Sequence, residues 1–442
     1  MTTGNGAGGG PRALLVAAPA SGSGKTTVTL ALLRAMGNAG RRVASAKAGP
    51  DYIDPRFHAA ASGVNCVNLD PWAMRPDLIR ALFADLVRDR EIVLVEAMMG
   101  LFDGAADGSG SAADLAAMLG LPVVLVVDVA AQAQSVAALV QGFARFRADI
   151  AIAGVILNRV GSERHETMLR SSLAPTGVPV LGAVRRDRRL ELASRHLGLV
   201  QAGEHPELER FLDDAATLVR TAVDLDGLIA AAAPVTAGAA RPVPPLPPLG
   251  GRMAIARDEA FAFVYPHLLD GWRAAGAALG LFSPLADEAP PADADAVYLP
   301  GGYPELHAGQ LAGNGRFLGG LRAAAARGAV VYGECGGYMV LGNGLVAADG
   351  SRHAMAGLLP VETSFAQRKL HLGYRRLRPR GALPWDRPLT AHEFHYASLV
   401  DEGPGDALFD AEDASGASLG AVGRIAGTVA GSFMHVVDLG RG

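Results

Sequence analysis

Cys335 sits in Gly333-Glu334-Cys335-Gly336-Gly337-Tyr338, directly after the apolar run Ala329-Val330-Val331-Tyr332. A G-x-C-x-G pentapeptide has the form of the G-x-S-x-G elbow, in which small neighbours permit a cramped strand-to-helix turn that lifts a nucleophile above the sheet. The helix that follows presents partial positive charge and unpaired N–H groups at its start. The pattern therefore predicts a stabilised thiolate and donors for an oxyanion. The competing reading is a buried structural thiol, and the flanking glycines weigh against it.

A second constellation lies near the N-terminus. The apolar run 13–18 leads into Pro19-Ala20-Ser21-Gly22-Ser23-Gly24-Lys25-Thr26-Thr27, followed by a helical pattern over 28–36. This reads as a phosphate-binding loop. Its glycines let successive N–H groups converge on phosphate oxygens, Lys25 neutralises the β- and γ-phosphates, and the Thr26 hydroxyl binds Mg²⁺. Residues Ser21, Gly22, Ser23, Gly24, Lys25, Thr26 and Thr27 are accordingly assigned to ATP. Pro19 stands where the G-x-x-x-x-G-K-[ST] pattern has its first glycine, and Ala20 lacks the lysine of partition-type ATPases. Asn158, closing the run 152–157, has two readings: a contact to the nucleotide base, or a cap.

Two polar loops fall where a parallel sheet would present its carboxyl edge. Lys47-Ala48-Gly49-Pro50-Asp51-Tyr52-Ile53-Asp54-Pro55 follows the second strand, and ligands bind at that edge. Asp51, Tyr52 and Asp54 are candidate substrate-binding residues; the alternative makes both acids turn formers beside Pro50 and Pro55. Glu96 closes a buried strand like a Walker-B carboxylate and is expected to hold Mg²⁺ with Thr26, directly or through water. Asp103, later in the same loop, is either a further substrate ligand or part of a plain Asp103-Gly104 turn.

The elements that must position these groups alternate along the chain. Before residue 234, short β-branched runs at 13–18, 92–97, 123–127, 152–157 and 178–184 are separated by longer helical patterns, which indicates a parallel sheet covered on both faces. Residues 234–251 are proline-dense and aperiodic and read as a semi-rigid linker. Beyond them, strands are expected at 253–256, 296–299 and 330–333, with helices at 265–279 and 315–327. The predicted fold class is α/β with two tandem α/β domains, residues 1–233 and 252–442. Of 442 residues, 50% are hydrophobic and 19% charged, with net charge −4. No basic run suggests a nucleic-acid or lipid surface, and the Arg185-Arg186-Asp187-Arg188-Arg189 stretch reads as a solvated loop. Two distant cysteines make no disulfide framework, the glycine-rich start lacks a basic signal-peptide region, and the apolar stretch 121–127 is too short to span a bilayer. A cytoplasmic protein is expected.

Five segments in order resemble one family over nearly the whole chain: A-P-A-S-G-S-G-K-T-T (18–27), K-A-G-P-D-Y-I-D-P (47–55), E-A-M-M-G-L-F-D-G (96–104), P-G-G-Y-P-E (300–305) and G-E-C-G-G-Y-M-V-L-G (333–342). They resemble the cobyrinate and hydrogenobyrinate a,c-diamide synthases, glutamine-dependent amidotransferases of corrinoid synthesis. The resemblance implies a dethiobiotin-synthetase-like P-loop domain followed by a class I-type glutaminase domain. It implies amidation of the a- and c-acetate carboxylates of hydrogenobyrinate or cobyrinate, with ATP, Mg²⁺ and L-glutamine, and a homodimer is a further expectation. A carboxylate offers no leaving group, so ATP must first make an acyl phosphate, which ammonia then attacks; Cys335 would release that ammonia from glutamine through a thioester.

The same resemblance places the general base at His435 and the oxyanion and glutamine site at Gly301 and Gly302 with Gly336. Class I glutaminases usually complete a triad with Glu two residues after the histidine. Here that position is Val437. The His392-Glu393-Phe394-His395-Tyr396 segment alternates like a strand and lacks the i, i+4 spacing of a zinc helix. A role beside Cys335 and a plain strand surface both stand. The competing functions are a nickel-sirohydrochlorin a,c-diamide synthase, cobyric acid synthase, and, from another class, a P-loop switch ATPase with a vestigial glutaminase.

Overall fold

The computed structural model describes residues 10–190, 194–195, 198–199, 202–236 and 243–440. The glycine-rich residues 1–9 and residues 237–242 of the expected linker lie outside the described residues. The chain divides into two compact units, the second comprising Trp72–Arg75, Ala105–Asp107 and the chain from Val243 onward. No helix among the described residues is long and apolar enough to cross a membrane.

The first unit is built on seven parallel strands: β1 Arg12–Ala17, β2 Val43–Ala48, β3 Val67–Leu69, β4 Ile92–Glu96, β5 Val123–Asp128, β6 Ile152–Val160 and β7 Val180–Arg185. Their order is β3-β2-β4-β1-β5-β6-β7, and Ala233–Pro234 adds antiparallel to β1. The central strands are apolar along their whole length because helices cover both faces; Leu14, Leu15, Leu94, Val124 and Leu125 are fully buried. Helix α1 (Lys25–Asn38) leaves β1 through the glycine-rich loop, so β1, β4 and β2 deliver their carboxyl ends to the start of α1.

The second unit carries a parallel sheet in the order Ala278–Phe282, Arg252–Ala256, Ala296–Leu299, Val330–Glu334, Val429–Ser432, closed by antiparallel Arg424–Ala426. The expected helix 265–279 stops at Ala274, and Ala278–Phe282 is instead a strand parallel to Arg252–Ala256. Gly276 at φ 93° turns the chain after the helix, a conformation that only glycine adopts freely. A mixed sheet of four strands and an antiparallel sheet of five also stand in this unit. Leu389–His395 and His435–Leu439 pair in the five-stranded sheet with His392 opposite His435. Part of the expected linker packs here: Leu246 and Leu249 are buried, and the Pro247 carbonyl accepts from the Trp385 indole at 2.9 Å.

Candidate active sites

In the first unit, Gly22 and Gly24 take φ of 78° and 81° and turn the loop from β1 into α1. Gly24 caps the helix with no side chain, and a Cβ there would collide with the Asn158 amide nitrogen. Asn158 donates to the Ser23 carbonyl at 2.9 Å, and the Ser23 hydroxyl donates to the Ala20 carbonyl at 2.8 Å. The loop is therefore braced from β6, and the Asn158 carboxamide oxygen remains as an acceptor. Ser21 is exposed, and the Thr27 hydroxyl lies 3.5 Å from the Leu190 carbonyl.

Register puts Lys47 of β2 beside Glu96 of β4. Glu96 Oε1 accepts from Thr26 Oγ1 and from Lys47 Nζ, each at 2.7 Å, and lies 3.6 Å from Lys25 Nζ. Glu96 Oε2 faces His58 Nε2 at 2.7 Å. Asp54 Oδ2 lies 2.5 Å from Lys47 Nζ and 3.3 Å from Thr26 Oγ1. Burial alone would raise the Glu96 carboxyl, but Lys47, Lys25 and His58 outweigh it and hold it well below the usual range. Burial likewise opposes charge on Lys47, yet Asp54, Glu96 and Asp51 hold its ammonium firmly protonated. Lys25 moves down, through burial and the neighbouring Lys47. His58 is held at about 10 against its burial by Cys66 and Glu96.

Asp51 Oδ1 accepts from the backbone of Ile53 and Asp54 at 2.8 and 3.0 Å, which fixes the start of helix Asp54–Ser62, and burial with the adjacent Asp54 pushes its carboxyl up to about 6. Tyr52 beside it is half-buried. Asp103 is exposed and accepts from Gly100 N at 2.9 Å, so it closes the 100–103 turn. Thr26 Oγ1, Glu96 Oε1 and Asp54 Oδ2 form a compact set of hard oxygen donors, the chemistry a divalent magnesium ion selects.

In the second unit, Cys335 follows Val330–Glu334 and caps helix Gly336–Leu341 with φ 48° and ψ −104°. That left-handed φ on a non-glycine residue is the strain expected of a nucleophile elbow. The turn can be this tight because Gly337 has no Cβ: one would collide with the Leu299 carbonyl. A Cβ on Gly301 would collide with His435 Cε1 and lie 3.3 Å from Cys335 Cβ, while one on Gly336 would lie 3.2 Å from Gly302 N. Cys335, His435, Gly301, Gly302 and Gly336 thus converge.

The expectation of a stabilised thiolate is overturned in this structure. Burial, then Glu305, push the Cys335 thiol well above its ordinary value, with Glu334 and Glu393 adding to the shift. The helix behind it spans only six residues, and the Cys335 N–H is already spent on the Ser432 carbonyl at 2.8 Å. His435 is pushed well below its ordinary value by burial, His392 and His395. Both shifts favour the neutral thiol and the neutral imidazole over the ion pair.

Glu334 escaped the sequence reading, whereas the 392–396 segment was singled out there, and its His392 lies against His435. Glu334, fully buried, accepts from Tyr298 at 2.7 Å, Tyr332 at 3.1 Å and Val436 N at 3.2 Å. The His392 ring stacks on His435 at 4.8 Å, with its Nε2 2.8 Å from the Tyr265 hydroxyl. Glu393 is gripped by Arg375 at 2.7 and 2.9 Å and by His395 at 2.9 Å. Glu334 was visible only as the variable residue of the elbow, and His58 as a lone histidine on a helix; pairing brought by β-register leaves no local sequence signal.

Comparisons with known proteins agree with both halves. Residues 14–200 match the model of the CobQ/CobB/MinD/ParA nucleotide binding domain, and residues 252–441 match the CobB/CobQ-like glutamine amidotransferase domain. A hydrogenobyrinate a,c-diamide synthase from Brucella abortus is 63% identical over 429 residues, covering 97% of this chain and 98% of that one. The Rhizobium meliloti protein of the same name is 60% identical over 425 residues, covering 96% and 99%. The Mesorhizobium japonicum protein so named is 49% identical over 432 residues, covering 96% and 98%.

Proposed function

Because the chain belongs to the hydrogenobyrinate a,c-diamide synthase family, we propose that its two sites divide one reaction between carboxylate activation and ammonia supply. The chain is an ATP-dependent, glutamine-dependent amidating ligase of cobalamin biosynthesis. The observation that carries the division of roles is the convergence of Lys25 and Lys47 on Glu96 and Asp54 around the Thr26 hydroxyl.

In the proposed mechanism, the loop N–H groups and Lys25 hold the β- and γ-phosphates of ATP while an acetate carboxylate of the macrocycle attacks the γ-phosphorus. Lys25 and Lys47 offset charge on the transferring group. Thr26, Glu96 and Asp54 would hold Mg²⁺, which supplies further charge neutralisation when bound. His58 fixes the Glu96 carboxylate, and Asp51 and Tyr52 at the loop edge contact the acceptor, as does Asp103. Asn158 contacts the adenine through its free acceptor. In the second unit, Cys335 Sγ attacks the glutamine amide carbon as His435 takes the thiol proton. The N–H groups of Gly302 and Gly336, two residues that approach each other closely, would donate to the developing oxyanion, and Gly301 leaves room for His435. His435 returns the proton to departing ammonia; water then hydrolyses the thioester to glutamate. The ammonia displaces phosphate from the acyl phosphate and leaves the amide.

Hydrogenobyrinate, without metal, is the proposed acceptor, supported by the names of the relatives. Incubating the full chain with ATP, glutamine and hydrogenobyrinate, cobyrinate or nickel sirohydrochlorin, followed by mass spectrometry, tests this. Diamide formed fastest from hydrogenobyrinate is expected; a preference for the nickel macrocycle would overturn it. The proposed setting is the cytoplasm. The proposed assembly is a homodimer, supported by exposed Leu281 on the edge strand Ala278–Phe282 and read by sedimentation mass.

A further inference from the structure

The glutaminase site lacks an acid two residues after its histidine, because Val437 is there and buried. A different carboxylate lies against the same ring. Glu334 Oε2 is 4.0 Å from His435 Nδ1, and both side chains are almost completely buried. Glu334 comes from the strand that carries the nucleophile, and its carboxylate is fastened by three donors from three strands: Tyr298 OH at 2.7 Å, Tyr332 OH at 3.1 Å and Val436 N at 3.2 Å. Among the described residues no lysine or arginine pairs with this carboxylate, and a buried acid held without a cation is costly to keep charged.

We propose that Glu334 is the positioning residue of the glutaminase site, replacing the absent acid: its carboxylate faces the Nδ1–H of His435, fixes that tautomer, and offsets the imidazolium charge formed when His435 takes the Cys335 proton. The inference rests on the proposed Cys335–His435 chemistry. With the proton on Nδ1, Nε2 carries the lone pair that accepts from the thiol. Once the ring is cationic, the 4.0 Å contact can shorten to an ion-paired hydrogen bond, as catalytic contacts do on reaching the transition state. His392, stacked flat on His435 and tied to Tyr265, limits the ring to that plane. The glutaminase unit is thus Cys335, His435 and the acid directly preceding the nucleophile.

The pH consequence follows from the groups that face Glu334. Those are Tyr298, Tyr332, His435 and the adjacent Cys335, with His392 behind His435. Both tyrosines are held far above neutral by burial and by Glu334 itself, so they remain neutral donors. Burial raises the Glu334 carboxyl to about 7 against these hydrogen bonds. An acid shifted up is protonated below that pH and supports no imidazolium there, so glutaminase kcat should fall on the acid side of about 7.

Glu334→Gln keeps the shape and removes the charge: with its carbonyl oxygen at the Oε1 position it still accepts from Tyr332 and Val436 N, while its NH2 donates to the Tyr298 hydroxyl oxygen. Steady-state glutaminase activity and ammonium-dependent amidation are measured on the full chain from about pH 6 to 9. The expected result is a fall in glutaminase kcat of about 10- to 1,000-fold, a glutamine KM within about threefold, and loss of the acid limb. Amidation with ammonium should be unchanged. Tyr332→Phe removes one donor to the carboxylate, so its acid limb should move to higher pH with the plateau retained. A Gln variant with wild-type kcat and limb overturns the proposal, as does a fall in kcat that leaves the limb in place. If the Gln variant does not fold, an unmoved limb in Tyr332→Phe overturns it. Loss of glutaminase in neither Glu334→Gln nor Cys335→Ala would instead sink the underlying assignment of Cys335.

Discussion

Gly301→Ala is a one-carbon test of the glutaminase geometry. Gly301 lies outside the left-handed φ region, so alanine meets no backbone penalty and only its methyl group acts. That methyl would overlap His435 Cε1 and lie 3.3 Å from both His435 Nδ1 and Cys335 Cβ. Non-bonded carbons settle at about 3.5–4.0 Å, so the overlap with Cε1 is relieved only if the ring moves by about 1 Å. His435 is buried, stacked on His392 and beside Glu334, so the ring has little room to move. A displacement of about 1 Å in a reacting pair costs on the order of 100-fold in rate. Overpacking should also cost about 1–3 kcal/mol of stability. The assay compares glutamate release with amidation driven by ammonium chloride in the same preparation. Glutaminase falling about 100-fold while ammonium-driven amidation persists is expected; glutaminase within about twofold of wild type would refute the placement of Gly301 against His435.

Other perturbations separate the sites. Cys335→Ala should abolish glutamine use and leave ammonium-dependent amidation intact, read by macrocycle mass with each nitrogen source; loss of both would sink the division of labour. Lys25→Ala should stop amidation from either source while glutamate release continues, and unchanged amidation would take that lysine out of catalysis. Lys47→Met removes the cation between Glu96 and Asp54, 2.7 and 2.5 Å away; leaving buried carboxylates unpaired should cost about 3–5 kcal/mol in urea unfolding, less where His58 and Lys25 compensate. Burial raises the Glu393 carboxyl, but His395 and Arg375 outweigh it and hold it at about 2. A depressed acid stabilises above its unfolded value and loses that contribution as pH falls toward 2, so stability should decline from about pH 5 downward. Arg375→Met should flatten that decline in acid-unfolding curves.

What could be read before the fold was known follows the reach of each signal along the chain. The phosphate loop and the elbow are contiguous, and their glycines report a local backbone need, so Lys25 and Cys335 were legible from a few neighbours. Helix Gly315–Ala326 was also legible, within one residue of the expected 315–327. The helix expected over 265–279 overran because Ala278–Phe282 is an edge strand whose residues are mostly exposed, so it lacks the apolar run that marks a buried strand. Strand His371–Pro379 of the five-stranded sheet went unseen for the same reason: apart from Leu377 its positions are exposed or half-buried. Site residues delivered by register were harder still. Lys47 meets Glu96, and His392 meets His435, through pairing of strands far apart in sequence. The thiolate expectation failed because a helix-start argument ignores how deeply the thiol is buried and the carboxylates around it.

The central claim is that ATP activates a macrocycle carboxylate as an acyl phosphate before nitrogen from glutamine displaces it. It is tested most directly with hydrogenobyrinate carrying ¹⁸O in its acetate carboxylates, together with ATP and amide-¹⁵N glutamine. The account predicts that each amide formed carries ¹⁵N and that one ¹⁸O appears in inorganic phosphate for each, seen as the isotope shift in ³¹P NMR. Amide formation with no ¹⁸O in phosphate would contradict it.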